Sequence, residues 1–434
     1  MLVAVAGLSH RSAPIEVRER VAFAPCAARS FLRRLKDEGE VAEAVLLSTC
    51  NRTELYAVVE NEEARRRLLD AMADEKGVDR DALGRHTYWL TDDEAARHLY
   101  RVASSLESMV VGEAQILGQV REAYRAATEE LCAGPVLNRL FHTSLRVGKR
   151  VRSETGIGDH SLSVPRVAVK LAEEVFGTLE GRRALVVGAG EMSELVVGHL
   201  RSSGVAEVRI ANRTAGRAAE LAARFGGKAV GFDALGDELP RVDVVVSSTG
   251  ADAGEWIVGS GMVAAALERR EEPLFFVDIA VPRDVDPVVQ NLDKAYVYDV
   301  DDLQAVVERN GEDRSAAAGA AEAMIGPAVL EFTSWLSTQH VVPLIKELRD
   351  EAERIRRHEL ARATKGLDLS PGEQAAVERM SHALVNKLLH GPIQEIKALA
   401  EAGSPVEGVE VRRRLLALEG LGAELHRPSR AHSP

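Results

Sequence analysis

The sequence predicts an α/β protein followed by an all-α part, and three observations indicate this fold class. Short strand-like runs lie between residues 2 and 59. A second series of strands alternates with helices from Gly181 onward and begins with a glycine-rich turn. Beyond Asp302 the strand patterns end and apolar residues recur at helical intervals. We expect an N-terminal α/β domain over 1–158, a Rossmann-type dinucleotide-binding domain over 159–301 and a helical domain over 302–434.

The composition fits a globular protein of two or three domains, with 434 residues, 46% hydrophobic and 28% charged. No apolar run approaches the length needed to cross a bilayer, and no basic segment precedes the N-terminal apolar run, so we expect a cytoplasmic protein without membrane contact. The net charge of −12 is unfavourable for general nucleic-acid binding. A local basic segment, residues 139–152, is a candidate for contact with phosphate.

In the N-terminal domain we expect strands at Leu2–Ala6, Val41–Ser48 and Leu55–Val59. Thr91 and Glu94 have the spacing of a capping box, which predicts a helix that starts there. This helix presents His98 beside its apolar stripe.

The dinucleotide-binding domain should begin with strand Ala184–Val187, a Gly188-Ala189-Gly190 turn and a helix. Such a turn brings a pyrophosphate close to backbone amides at the helix N-terminus, although Ser193 replaces the third small residue of the motif. Further strands are expected at Glu207–Ala211, Val242–Ser247 and Leu274–Val277. After the second strand, where NAD enzymes carry an acid, the chain has Asn212-Arg213-Thr214. Arginine there suits the 2′-phosphate of NADPH.

The C-terminal helices carry an apolar stripe that includes Leu384 and Leu388. A slender helical extension does not bury such a stripe by itself, so a partner helix is expected to cover it. Gly326-Pro327 interrupts the first of these helices, and we expect a kink or a break there.

Each of the three cysteines stands alone, without the spacing of a zinc or redox motif. Cys26 and Cys132 have the pattern of small core residues. Cys50 follows a strand and is the candidate nucleophile. An ordinary thiol is only about 3% ionised at neutral pH, so a nearby cation must activate it. Arg52 is suitably placed unless a carboxylate partner claims it.

The chain resembles the glutamyl-tRNA reductases along nearly its whole length. The segments that carry the resemblance are Gly7-Leu8-Ser9-His10-Arg11-Ser12-Ala13-Pro14, Ser48-Thr49-Cys50-Asn51-Arg52-Thr53-Glu54, residues 108–119, Gly188-Ala189-Gly190-Glu191-Met192 and Leu388-Leu389-His390-Gly391-Pro392. The resemblance implies a catalytic first domain, an NADPH domain and a helical dimerisation domain. It also implies the first step of tetrapyrrole biosynthesis, with no metal.

In that scheme Cys50 attacks the glutamyl ester, tRNA leaves, and NADPH reduces the thioester to glutamate-1-semialdehyde. The resemblance gives His98 a proton-transfer role and Arg52 a two-pronged contact with the substrate carboxylate. The implied pocket also contains Thr49, Asn51, Ser108, Glu113, Ala114, Gln115 and Gln119. The implied cofactor contacts are Gly188, Ala189, Gly190, Glu191, Met192, Ser193, Asn212, Arg213 and Thr214. The implied partners are glutamate-charged tRNA, a second copy of the chain, and glutamate-1-semialdehyde aminotransferase.

Two other functions fit parts of the sequence. An NADP-dependent dehydrogenase acting on a free small molecule would explain the dinucleotide motif, which also resembles that of shikimate-dehydrogenase-type domains. An NADPH-sensing RNA-binding regulator would make Cys50 incidental. The Thr49-Cys50-Asn51-Arg52 segment disfavours the dehydrogenase, and alkylation of Cys50 with and without glutamyl-tRNA distinguishes the regulator.

Overall fold

The computed structural model of the chain describes residues 1–109, 112, 115–157, 164–249, 256–303, 315–367 and 369–401. Its backbone divides into two compact units, residues 1–329 and residues 330–434. The first unit holds two β-sheets, and the elements described in the second unit are helices. The predicted fold class, α/β followed by all-α, is confirmed.

The first sheet contains β1 (Leu2–Ser9), β2 (Glu43–Ser48), β3 (Arg52–Val59) and β4 (Tyr88–Thr91). The strands are antiparallel in the order β2-β3-β1-β4. The helices of this domain are α1 (Ile15–Val21), α2 (Pro25–Asp37), α3 (Ala64–Lys76), α4 (Arg80–His86), α5 (Asp92–Ala103), α6 (Gln115–Glu129) and α7 (Pro135–Glu154). Every residue of β3 is buried, so this strand forms the centre of the domain.

The three strands expected in this domain are present, and β4 is an additional one. It consists of four residues directly before α5, too short to produce a clear alternating pattern. Helix α5 begins after Thr91 as expected, but Thr91 makes no side-chain capping bond, so the predicted capping box is wrong. Thr91 is the last residue of a paired strand. The next residue, Asp92, instead accepts a hydrogen bond from the backbone N–H of Val3 at 2.9 Å.

The second sheet contains β5 (Arg183–Val187), β6 (Glu207–Ala211), β7 (Lys228–Val230), β8 (Val244–Ser247), β9 (Leu274–Asp278) and β10 (Ala295–Tyr298). All strands are parallel, in the order β10-β9-β8-β5-β6-β7. The flanking helices are α8 (Val164–Phe176), α9 (Glu191–Ser202), α10 (Ala215–Phe225), α11 (Leu235–Glu238) and α12 (Ser260–Leu267). This is the Rossmann strand order, and the strand order reverses at β5.

That reversal determines where a ligand binds. In open parallel sheets the crevice lies outside the carboxyl ends of the strands at the switch point, here the ends of β5 and β8. The four predicted strands of this domain are present, whereas β7 and β10 are additional. Both additional strands lie at the sheet edges.

The C-terminal helices are α13 (Ser315–His340), α14 (Val342–Thr364) and α15 (Pro371–Glu401). Helix α13 continues through Pro327, so the break expected there does not occur. Proline removes one backbone donor, and the helix of 26 residues extends on both sides of it. In the second unit α14 packs on α15 through a core that includes Ile345, Leu348, Leu389 and Ile393. No helix in the described ranges has both the length and the apolarity to span a membrane.

Candidate active site

Cys50 lies in the three-residue connection between β2 and β3, residues 49–51. The backbone N–H of Thr49 donates to the carbonyl of Arg52 at 2.8 Å, and that of Asn51 donates to Thr49 Oγ1 at 3.2 Å. Arg18 Nη1 donates to the carbonyl of Cys50 at 2.6 Å. Cys50 is half-buried and its thiol is not in a disulfide. The cysteine therefore follows a strand as predicted, but in an antiparallel hairpin and not at the edge of a parallel sheet.

A buried ion pair lies directly after this loop. Side chains alternate along a strand, so Arg52, Glu54 and Tyr56 of β3 share one face of the sheet. Glu54 is fully buried and accepts hydrogen bonds from Arg52 Nη1 at 2.7 Å, the Tyr56 hydroxyl at 2.6 Å and the Tyr88 hydroxyl at 2.5 Å. His98 Nε2 lies 2.8 Å from the same carboxylate. One carboxylate thus organises side chains from β3, β4 and α5.

Gly7 makes space for this carboxylate. It lies opposite Glu54 in the β1–β3 pairing and opposite Tyr88 in the β1–β4 pairing. A Cβ atom at Gly7 would lie 2.7 Å from Glu54 Cγ and 3.1 Å from a Tyr88 ring carbon. The glycine that opens the first family motif therefore permits close approach of two network members.

The charges in the network are mutually dependent. Burial by itself raises the pKa of Glu54, but the positive charge of Arg52 and the hydrogen bond with His98 outweigh it and hold the pKa well below its usual range. Burial lowers the pKa of Arg52, and Glu54 more than reverses this effect. Burial and the Glu54 charge raise the pKa of Tyr56 and Tyr88. Glu54 is consequently an anion and both tyrosines are donors at neutral pH.

His10 adjoins the cysteine loop and was not singled out as a site residue from the sequence. Its backbone N–H donates to the carbonyl of Asn51 at 2.9 Å. Burial, followed by the charges of Arg52, Arg11 and Arg18, lowers the pKa of His10 to about 4. Its Nδ1 and Asn51 Oδ1 are both buried without a hydrogen-bond partner among the described residues. A neutral imidazole and a free amide oxygen therefore lie beside Cys50.

The residues predicted to line the substrate pocket differ in burial and in hydrogen bonding. Ser108 is buried, Gln115 Nε2 is buried without a hydrogen-bond partner in the described ranges, and Gln119 is exposed. Glu113 and Ala114 lie outside the described residues. Arg52 already donates Nη1 to Glu54 and Nη2 to the carbonyl of Glu107, which leaves Nε buried and unbonded within the described structure. Arg52 therefore does have a carboxylate partner within the protein, and that partner is Glu54.

The glycine turn after β5 has the geometry of a dinucleotide site. Gly188 has a φ of +118°, and a Cβ there would lie 2.4 Å from the carbonyl of Ser248. Gly190 caps α9, and a Cβ there would meet open space. Ser193 Oγ is buried in the first turn of α9 without a hydrogen-bond partner in the part of the chain described. These residues fit a phosphate at the helix N-terminus.

The loop after β6 carries the residues expected to select the cofactor. Asn212 Nδ2 donates to the carbonyl of Thr214 at 3.1 Å, and Thr214 precedes α10. Arg213 is exposed, and its charge acts on Asp284, a buried carboxylate that accepts from the Thr249 backbone N–H at 2.8 Å. Arg213 lies in the loop that follows β6, at the carboxyl edge of the sheet. Within the described ranges, no group of three or more His, Cys, Asp and Glu side chains is arranged to hold a metal ion.

A parallel sheet in Rossmann order, joined to a domain that holds a cysteine hairpin, is the architecture of a dinucleotide-dependent oxidoreductase. Residues 6–155 match the model of the glutamyl-tRNAGlu reductase N-terminal domain. Residues 170–306 match the shikimate / quinate 5-dehydrogenase model, and residues 320–418 match the glutamyl-tRNAGlu reductase dimerisation domain.

Three similar proteins are named glutamyl-tRNA reductase, and each matches this chain over nearly its whole length. The chain is 72% identical to glutamyl-tRNA reductase of Rubrobacter xylanophilus, over 99% of this chain and 100% of that protein. It is 45% identical to the enzyme of Desulforudis audaxviator, over 92% of this chain and 90% of that protein. A solved glutamyl-tRNA reductase from Methanopyrus kandleri is 33% identical, covers 93% of this chain and 99% of its own, and has a TM-score of 0.48. The chain belongs to the glutamyl-tRNA reductase family, which confirms the resemblance found in the sequence.

Proposed function

We propose that this protein reduces glutamyl-tRNA(Glu) to glutamate-1-semialdehyde with NADPH, through a thioester on Cys50, as the first step of tetrapyrrole biosynthesis. The Cys50 thiolate attacks the ester carbonyl carbon, the C–O bond to the terminal ribose breaks, and the tRNA oxygen takes a proton. NADPH bound at the Gly188–Gly190 turn and Arg213 would supply the hydride that reduces the thioester carbon. The C–S bond then breaks and the thiol is regenerated with the aldehyde.

The observation that carries this proposal is the cysteine hairpin itself. Its Cys50 carbonyl is fixed by Arg18, its Asn51 carbonyl by His10, and its Arg52 by Glu54. Arg52 Nε and Asn51 Oδ1 remain as a buried donor and a buried acceptor without a partner in the described structure. Groups of this kind bind the ammonium and carboxylate of an amino-acid substrate. For Arg52 to bind a carboxylate through both Nε and Nη2, the hydrogen bond from Nη2 to the carbonyl of Glu107 must break.

An assay with two substrates tests the proposal. The purified protein receives NADPH with glutamyl-tRNA in one reaction and NADPH with free glutamate in the other. We expect NADPH oxidation and aldehyde formation only with the charged tRNA, because free glutamate has no ester for the cysteine to displace. Oxidation of NADPH by a free keto acid, with no reaction on charged tRNA, would support the small-molecule dehydrogenase instead.

Arg213 is the residue proposed to select NADPH. Replacing it with aspartate removes the attraction for the 2′-phosphate and adds repulsion, so kcat/KM for NADPH should fall by about 10- to 100-fold. The value for NADH should change much less. Steady-state kinetics with both cofactors measure the ratio. Arg269→Asp, at an exposed position after α12, makes the same charge change and is the control. An unchanged NADPH/NADH ratio in Arg213→Asp contradicts the assignment.

We further propose that the protein forms a homodimer through its C-terminal helices. On α15 the apolar residues Met380, Leu384 and Leu388 recur every fourth position and are 57%, 53% and 68% exposed. The opposite face of α15 packs on α14 through Leu389 and Ile393. A helix that buries one apolar face and exposes another needs a second partner, and a second copy of the chain supplies it symmetrically.

Two substitutions test the dimer without truncating the chain. Leu384→Glu with Leu388→Glu places two charges in the proposed interface, so light scattering should measure a monomer at micromolar concentration. Asn386→Glu with Gln394→Glu adds two charges at exposed positions of α15 outside the stripe, and this control should remain a dimer. A dimer in the first variant would place the interface elsewhere.

The product is an α-amino aldehyde, which is reactive in water, and this chemistry favours direct transfer to glutamate-1-semialdehyde aminotransferase. We propose a cytoplasmic complex with that enzyme. Sedimentation of the purified pair, together with the coupled rate, measures it. Independent sedimentation with no gain in coupled rate would remove the proposal.

A further inference from the structure

Arg18 of α1 connects the cysteine hairpin to the dinucleotide-binding domain. Its side chain is 2% exposed, and all three guanidinium nitrogens are bonded. Nη1 donates to the carbonyl of Cys50 at 2.6 Å and Nε to the carbonyl of Ala13 at 3.2 Å. Nη2 donates to Asp301 Oδ1. One rigid, planar group thus holds the cysteine main chain and a carboxylate 283 positions away from Arg18 in the sequence.

Asp301 belongs to the end of the dinucleotide-binding domain, three residues after β10. Its other oxygen, Oδ2, accepts from the backbone N–H of Ile15 at 3.1 Å, the first residue of α1. Ile15 is buried in the same apolar cluster as Val277 and Val300 of that domain. A single carboxylate therefore holds both the N-terminus of α1 and Arg18.

A second contact joins the same two domains. Arg283, after β9, forms a two-pronged salt bridge with Glu19 of α1, at 3.0 Å from Nε and 2.9 Å from Nη2. Its Nη1 lies 3.4 Å from Glu16. This contact attaches the outer face of α1 to the dinucleotide-binding domain through α1 carboxylates. Arg283 thus provides a matched comparison for Arg18, since both form an ion pair between α1 and the dinucleotide-binding domain, and of the two Arg18 bonds to Cys50.

We propose that Arg18 is a positioning residue, which makes the position of Cys50 depend on Asp301 of the dinucleotide-binding domain. The proposal rests on Cys50 being the nucleophile of the proposed function. Hydride transfer requires the thioester carbon within about 3–3.5 Å of its donor, and an error of about 1 Å costs about 100-fold in rate. The thioester belongs to one domain and the hydride donor to the other. The Arg18 side chain, bonded to both the Cys50 carbonyl and Asp301, fixes the separation of the two domains at this point.

Arg18 makes one bond to the Cys50 carbonyl and one to Asp301, and substitutions can weaken these two bonds separately. Asp301→Asn weakens the bond to the dinucleotide-binding domain and leaves the Arg18–Cys50 bond in place. Acylation of Cys50 by glutamyl-tRNA should then stay within about threefold of wild type, while reduction of the thioester slows by about one to two orders of magnitude. Arg18→Lys keeps the charge but has one nitrogen in place of three. Both steps should slow in that variant.

Single-turnover experiments measure the two steps separately. Radiolabelled glutamyl-tRNA without NADPH gives the acylation rate from label retained on the protein, and NADPH added afterwards gives the reduction rate. All proteins carry Cys26→Ser, because Cys26 is exposed. Arg283→Lys is the control and should alter reduction by less than about threefold. Wild-type reduction in Asp301→Asn, or equal slowing in Asp301→Asn and Arg283→Lys, would overturn the proposal.

The Asp301→Asn variant and the wild-type acylation rate allow a conclusion even if another variant fails. Asp301 is 34% exposed, so its isosteric replacement decides the matter if the buried Arg18→Lys variant fails to fold. If wild-type protein retains no label, the proposed function fails and not the coupling. If wild type acylates and reduces normally and Arg18→Lys does the same, the positioning role is wrong while the function stands.

Discussion

Cys50→Ser should lower reductase activity by at least about three orders of magnitude while the protein stays folded. Serine has nearly the shape of cysteine, and Cys50 occupies a half-buried hairpin position whose main chain is held by Arg18. A hydroxyl is far harder to ionise than a thiol, so neither attack on the ester nor a thioester is expected. The measurements are aldehyde formation under NADPH and label retained from charged tRNA.

The other two cysteines provide the controls. Cys132 is buried as expected, and burial raises the pKa of its thiol, whereas Cys26 is exposed, so the core position expected for it is wrong. Cys26→Ser and Cys132→Ser should each keep activity within about threefold of wild type. If Cys50→Ser retained reductase activity, or if label remained on the protein after Cys50 was replaced, the nucleophile would be another group.

Glu54→Gln should destabilise the protein by about 3–5 kcal/mol, the usual cost of breaking a buried ion pair by removing one partner. Arg52 would stay buried without its anion, and the glutamine amide nitrogen would face donors from Arg52, Tyr56 and Tyr88. Urea unfolding at pH 7 measures the change. Trp89 of β4 contributes fluorescence from the same sheet.

The effect should also depend on pH in a defined direction. The pKa of Glu54 lies below its ordinary value of 4.5, so its ionised form stabilises the fold. That contribution is present above about pH 4.5 and is lost as the pH falls through the folded-state pKa. The difference between wild type and Glu54→Gln should therefore shrink on acidification.

Glu38→Gln is the matched control, because the Arg34–Glu38 pair is also an Arg–Glu pair but its side chains are 35% and 50% exposed. We expect it to cost at most about 0.5 kcal/mol. If the two Glu→Gln variants lost equal stability, Glu54 would have no special role in holding the domain together.

The local chemistry of the site could be predicted from the sequence. The Thr49-Cys50-Asn51-Arg52 segment and the Gly188-Ala189-Gly190 turn are each continuous in sequence. Their residue types and the strands beside them can therefore be recognised without a structure. The strand and helix patterns gave the Rossmann domain and the helical tail, since burial of one face imposes a period on the sequence. The short edge strands β7 and β10 were not predicted, because three or four residues are too few to show a periodic pattern.

The sequence by itself determined the family and the order of the domains, and it predicted a candidate nucleophile and a candidate cofactor loop. Only the tertiary structure decided which charges pair: Arg52 with Glu54, His98 with the same carboxylate, and Arg18 with both the Cys50 carbonyl and Asp301. The reason is physical. A buried charge must find a partner wherever the fold brings one within hydrogen-bond distance. Arg52 and Glu54 share one strand, but His98, Arg18 and Asp301 reach their partners from elements distant in the chain.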